Sequence, residues 1–242
     1  MPNCEEQGNF ILDESKYVAY LGGRGSGKTA AGAVKILRYI GKHPGARIMV
    51  TAPINEQLVE GAIPEIEKWA PPGAILRLIK SPYYRYFLKG DAEIVFRSAQ
   101  NPNSLRSGSF AVVWHDEAAQ SDEMSFQISQ ATLRQPGYPP QMILTSTPRY
   151  KNWVYKYFIE SEDPDYSCYS GISTTVNAKN LPPEFLSQLI QTYGGGESPF
   201  AQQELYGKFI AQVGIVYSLF DRSKHLRAPP KDFVPRLIVG GV

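Results

Sequence analysis

Two short runs carry residues able to do phosphate chemistry. One is YLGGRGSGKT at residues 20–29; the other is VVWHDEAA at residues 112–119. The first fits G-x-x-x-x-G-K-[ST] from Gly22 to Thr29. Gly22, Gly23, Gly25 and Gly27, with Ser26 among them, allow backbone N–H groups to converge on phosphate oxygens. Lys28 is placed to reach the β- and γ-phosphates of a bound nucleotide, and Thr29 to offer its hydroxyl to Mg2+. Arg24, inside the loop, adds a guanidinium that gripping alone would not need, within reach of a γ-phosphate or of Glu117. A ligand-free glycine turn is the alternative, but a strand pattern precedes the run and a helix pattern follows it, as the motif requires.

The second run ends an apolar strand in Asp116 and Glu117. Asp116 suits an acid that organises Mg2+, and Glu117 a base that orients or deprotonates water. GTPases more often position water with an amide, and small-molecule kinases need a second substrate pocket. The pair therefore points to ATP hydrolysis coupled to motion, with a solvated acidic turn as the bland reading. Thr145, Ser146 and Thr147, in LTSTP, end another apolar strand, where open parallel sheets bind ligands. They are candidates to report hydrolysis, or an ordinary strand exit. Arg106, on the loop before the acid-bearing strand, is a candidate arginine finger, acting in cis or from a neighbouring subunit, or a solvated loop residue. Gln7 carries the donor and acceptor needed to read adenine, or is a polar residue of a loose N-terminus. His115 reads as packed or hydrogen-bonded.

Short apolar runs alternating with helical patterns predict an α/β protein with a mostly parallel sheet. Strands are expected at KYVAYL, RIMVTAP, FAVVWHDEA and QMILTSTP, and a hairpin at YYRYFL–KGDA–EIVFR. A helix follows the loop, with Val34, Leu37 and Ile40 at core spacing. The NEQLVEGAIPEIEKWA segment is expected to be helical and bent near Pro64. SDEMSFQISQATL is expected to be helical with Ser121 as N-cap. Residues 1–165 form the expected core and 166–222 a lid subdomain. Residues 223–242 are expected to be a linker (RAPPKDFVP) and the start of a further domain at RLIVGGV.

The 242 residues are 43% hydrophobic and 20% charged, which excludes a disordered chain. A formal charge of +2 excludes a histone-like basic blanket, yet not a local basic site. Two cysteines, Cys4 and Cys168, exclude a disulfide scaffold, and no apolar run reaches spanning length. Arg77, Lys80, Arg85 and Lys89, mixed with tyrosines, could track DNA phosphates or merely face water.

In order, GGRGSGKT, SLRSGSFAVVWHDEAA, MILTSTPR and QELYGKFIAQVG resemble the ATPase domain of the large terminase subunit of tailed bacteriophages over nearly the whole chain. The resemblance implies a P-loop NTPase, a RecA-like core of the additional-strand, catalytic-glutamate class. It implies ATP and Mg2+ as cofactors and packaging of double-stranded DNA into a procapsid. The implied partners are the portal protein, the small terminase subunit and further copies in a ring assembled from monomers, all in the host cytoplasm. On it, Gln7 matches the adenine-recognition position and Arg106 the finger acting in trans. The family's nuclease domain would start near RLIVGGV, and its first metal acid is absent, so no nuclease activity is expected. A helicase core, which would need a second RecA-like unit, and a nucleotide-binding module dormant until docked are the alternatives.

Overall fold

A computed structural model describes residues 2–210. The linker and the RLIVGGV strand lie outside them. An eight-stranded sheet runs in the order β3-β4-β5-β2-β6-β7-β1-β8. Its strands are β1 (Tyr17–Gly22), β2 (Arg47–Ala52), β3 (Ile75–Ile79), β4 (Arg85–Leu88), β5 (Ala92–Ser98), β6 (Val112–Asp116), β7 (Gln141–Ser146) and β8 (Tyr166–Ile172). From β5 to β8 every neighbour pair is parallel; β3–β4 and β4–β5 are antiparallel, the second forming the expected hairpin. β7 lies between the loop-bearing β1 and the acid-bearing β6. That is the additional strand expected of the class.

The sheet is covered on both faces, so its central strands are apolar throughout rather than alternating. In β1, Val18 and Tyr20 enter one core while Ala19 and Leu21 enter the other. The first core is capped by α1 (Glu5–Leu12), α2 (Lys28–Lys42) and α4 (Ile63–Trp69), through Phe10, Ile36 and Ile66. The second is capped by α5 (Glu123–Gln130) and α6 (Trp153–Phe158), through Phe126, Trp153 and Phe158. Helix α2 lies so close to β6 that a Cβ on Gly32 would stand 2.4 Å from the Trp114 ring. Its core face is Ala33, Ile36 and Ile40; Val34 and Leu37 are only half-buried, because Lys35 turns inward. The Lys35 ammonium is bonded to the carbonyls of Phe10 (2.8 Å) and Asp13.

Other expectations shift. The segment before Pro64 opens with a short helix, α3 (Asn55–Gln57), widens into a π turn at Leu58–Ala62 and continues as α4. Helix α5 is capped by Asp122, not Ser121: its carboxylate accepts from Met124 N at 2.7 Å. The lid does not begin at residue 166, since β8 pairs with β1 inside the main sheet. After it come a 3-10 stretch (Thr174–Asn180), α7 (Phe185–Thr192) and α8 (Pro199–Glu204), packed in the same unit as the core.

Candidate nucleotide site

Strand β1 delivers the glycine loop and α2 opens at Lys28, with Gly27 as N-cap at φ 88°. That left-handed angle is one that side-chained residues rarely take. The first-turn N–H groups of α2 thus face the loop, with the positive end of the helix dipole behind them. The loop is tied from behind. Gly23 N donates to Ile172 O (2.8 Å), Arg24 N to Glu204 O (2.6 Å), and Thr174 Oγ1 to Arg24 O (2.7 Å). A Cβ at Gly23 would lie 2.2 Å from Leu205 O, so only glycine fits. Ser26 Oγ is fully buried and finds no hydrogen-bond partner among the described residues. A buried hydroxyl left unpaired is costly unless a ligand completes it. A phosphate oxygen on this loop would do so, and the loop therefore fits a nucleotide.

At the C-terminal end of β6, Asp116 is 3% exposed. Two hydroxyls converge on its carboxylate, Thr145 Oγ1 at 2.6 Å and Thr29 Oγ1 at 3.1 Å. Thr145 Oγ1 in turn accepts from Trp114 Nε1 at 2.8 Å. Burial pushes the Asp116 carboxyl well above its ordinary range, and the neighbouring Glu117 charge adds to this; the Thr145 bond, Lys28 and Thr29 work the other way. A buried acid with a hydroxyl beside it is the donor set that Mg2+ uses next to phosphates.

Lys28 is buried; its Nζ donates to Gly23 O (3.1 Å) and lies 3.8 Å from a Glu117 carboxylate oxygen. Glu117 has φ 49° and ψ 40°, a left-handed conformation in a residue with a long side chain. Such strain is stored where the surroundings over-determine the backbone. Here the 3-10 turn Ala118–Gln120 does so, with Gln120 N bonded to Glu117 O (2.9 Å) and Gln120 Nε2 to Glu117 Oε2 (3.1 Å). Ser146 Oγ accepts from Ala119 N at 3.0 Å and donates to Thr147 O. A cleft of about 650 Å³ opens over these groups, lined by Arg24, Thr29, Asp116, Glu117 and Thr147.

The family profile described as "Terminase large subunit, T4likevirus-type, N-terminal" matches residues 19–224. The chain belongs to the large terminase family. No curated protein matches it in sequence. Among solved structures, the large terminase of a thermophilic bacteriophage is similar with a TM-score of 0.73 and 14% identity, over 96% of this chain and 60% of that one. The same phage protein in complex with ADP gives 0.73 and 14%, over 93% and 59%. The large terminase ATPase domain of Thermus phage P74-26 gives 0.61 and 20%, over 86% and 94%. At these identities the likeness shows the fold, a RecA-like P-loop arrangement. The chain spans 60% of the thermophilic phage protein's length.

The other residues singled out in sequence lie around this site in this terminase domain or away from it. Gln7 sits on α1, not in a loose terminus. It is buried and its amide is already engaged, Nε2 with Gly27 O (3.1 Å) and Oε1 with Asn3 N (2.6 Å). It braces the loop, and reading a base would require it to exchange those bonds. Arg106 ends an exposed 3-10 turn, Pro102–Arg106, bonded through Nε to Asn103 (2.8 Å), and is not among the residues lining the cleft. Arg85 is paired with Glu93 at 3.5 Å, while Arg77 covers Phe87 and Lys80 and Lys89 are exposed. His115 is buried, as expected, between Thr51 (2.7 Å) and Ser129 (2.8 Å), and burial lowers its pKa to about 4.

Sequence reading missed Glu60 and Gly61, which the π turn brings to the cleft, and Arg149 and Tyr150, which follow β7. π turns gather at functional sites. A glycine inside an otherwise helical run was the available signal for the first pair. Tyr150, at φ 35°, has no sequence signal.

Proposed function

We propose that this terminase domain is an Mg2+-dependent ATPase that drives double-stranded DNA into a procapsid from a ring of copies docked on the portal protein. The small terminase subunit is its further partner in the host cytoplasm. The carrying observation is the convergence of the Thr29 and Thr145 hydroxyls on buried Asp116, with strained Glu117 beside Lys28. Mg2+, held by Thr29 and Asp116, would supply charge neutralisation on the β- and γ-phosphates.

The chain's own residues do the rest. The loop N–H groups, Ser26 and Lys28 hold the phosphates and fix the γ-phosphoryl for attack. Lys28 leaves its 3.8 Å contact with Glu117 for the phosphates, which frees the carboxylate to orient water and take its proton. Arg24 lies in the cleft for charge that develops at the γ-phosphate. Arg106, outside its own cleft, serves the next subunit's. Thr145 is bonded to Asp116, Ser146 to Ala119 beyond Glu117, and Thr147 lines the cleft; together they carry the change onward.

A mixing assay tests this. Glu117→Ala keeps Arg106 but lacks the base; Arg106→Ala keeps the base but lacks the finger. Each should be nearly dead, and the mixture should regain turnover. An active parent with a dead mixture would end the trans-finger mechanism, whereas an inactive parent would favour the dormant module.

A further inference from the structure

Arg97 lies near the end of β5, 7% exposed, with no carboxylate within ion-pair distance among the described residues. Its Nη1 donates to Ser104 O (3.2 Å) and Ser107 O (2.7 Å), two carbonyls that bracket Arg106 in the chain. Its guanidinium lies over the Tyr83 ring (5.3 Å) and the Phe110 ring (5.6 Å). The turn is pinned on its other sides by Leu105, fully buried, and by Ser104 Oγ, which donates to Asn101 O at 2.7 Å. A buried cation without a carboxylate is a costly way to fill a core, and apolar residues of like volume generally serve stability better. What a guanidinium offers instead is a planar Nη1 group whose two N–H bonds keep fixed directions toward both carbonyls while the flat ion lies over the rings.

We infer that Arg97 is a positioning residue for the finger: it fixes the turn so that Arg106 projects outward for the neighbouring subunit's nucleotide. The inference rests on Arg106 acting in trans. A long cationic side chain on a loose turn would sample many directions, and misplacing a catalytic group by about 1 Å can cost about a hundredfold in rate. Arg97 itself contacts no part of the cleft. Its loss should leave nucleotide binding by its own subunit unchanged and weaken only the finger that it carries.

The mixing assay separates these effects. In it, the Glu117→Ala chain donates the finger and the Arg106→Ala chain receives it. Arg97→Met placed in the donor should lower the regained turnover by about tenfold or more. The same substitution in the recipient, whose finger is already gone, should leave turnover within about twofold, the range expected when no transition-state contact is lost. Arg97→Lys, which keeps the charge and stem but not the planar Nη1 group, guards against a folding defect and should show the same asymmetry more weakly. Equal losses in both arms with both variants, or no loss in the donor arm, would overturn the inference. If the parent is active and the unsubstituted pair stays dead, the trans reading fails by itself and the inference with it. Hydrogen exchange separates that failure from one of Arg97 itself: faster exchange at residues 102–107 in Arg97→Met, with the phosphate loop unchanged, shows that Arg97 orders the turn, and unchanged exchange refutes its positioning role.

Discussion

Thr145→Val tests whether the acid pair is held by the strand beside it. Valine matches threonine in shape, so the substitution opens no cavity and removes only the hydroxyl. Two bonds go with it, the 2.6 Å bond to Asp116 and the 2.8 Å bond from Trp114 Nε1. Trp114 is fully buried, so its N–H is left without an acceptor, at a cost of about 1–3 kcal/mol. Loss of a bond to a buried, ionised carboxylate costs about 1.5–3 kcal/mol by itself. Part of that is avoided because Asp116, whose pKa burial already raises, protonates more readily without the hydroxyl. Together the loss is about 2–4 kcal/mol, well beyond the roughly 0.5 kcal/mol of an indifferent substitution. Urea unfolding followed by fluorescence measures the stability and phosphate release the turnover, which should fall as Asp116 loses its orientation. Thr145→Ser keeps the oxygen and removes a methyl, so it should recover most of both. A Val variant within about 0.5 kcal/mol of the parent, or a Ser variant no better than Val, would refute the reasoning.

Gly32→Ala should destabilise the domain by about 1–3 kcal/mol, because its Cβ would stand 2.4 Å from the Trp114 ring; thermal melting checks it, and a neutral result would mean that α2 can retreat from β6. Burial lowers Lys35 to about 8, below its unfolded value near 10.5. The unfolded chain therefore binds more protons between those values, and this group makes stability rise with pH from about 8 to about 10.5, by about 3 kcal/mol. The rise should be missing in Lys35→Met when unfolding is compared across that window. Glu117→Asn should abolish turnover yet hold stability or raise it by up to about 1 kcal/mol, since asparagine tolerates φ 49° better and the charge beside Asp116 is gone. Clear destabilisation in melts of that variant would show that the Lys28 contact outweighs the strain.

The phosphate loop, the Asp116–Glu117 pair and the 145–147 strand exit were legible because each is contiguous. There, residue type and spacing specify the chemistry and the flanking apolar runs specify the strands. What was not legible depends on packing between distant segments. Helix α1 has Cys4 at its N-cap with no side-chain bond, and only Glu5 and Glu6 mark its first turn, so nothing in the sequence was a reason to bury Gln7. The core face of α2 was read partly off, with Ile40 right and Val34 wrong, because Lys35, a surface residue by type, is solvated by two carbonyls at the α1 end. Strand β8 carries Ser167, Cys168 and Ser170 and looks too polar for a core sheet. It is an edge strand whose Ser167 and Tyr169 hydroxyls bond to Asp13 at 2.6 and 3.0 Å, while the Tyr169 ring packs on Phe10. The π turn changes which helical residues face the cleft, and no periodicity of 3.6 anticipates Glu60.

Under the proposed ATPase reading, the same bonds would give hydrolysis a route out of the cleft. Glu117 is held in its left-handed conformation by the 118–120 turn, so any relaxation when its partner Lys28 moves must shift that turn. The turn has few free directions. Ala119 N is bonded to Ser146 on β7, and Ala119 O accepts from Asn152 Nδ2 at 3.2 Å. Asn152 is also the N-cap of α6, its oxygen accepting from Val154 N at 3.1 Å, and Trp153 Nε1 donates to Ser121 O at 2.9 Å. A change at the base therefore pulls on the end of β7 and the start of α6 together. Because packed helices adopt discrete seats rather than sliding continuously, a sub-ångström change at Glu117 can be read out as a step at α6.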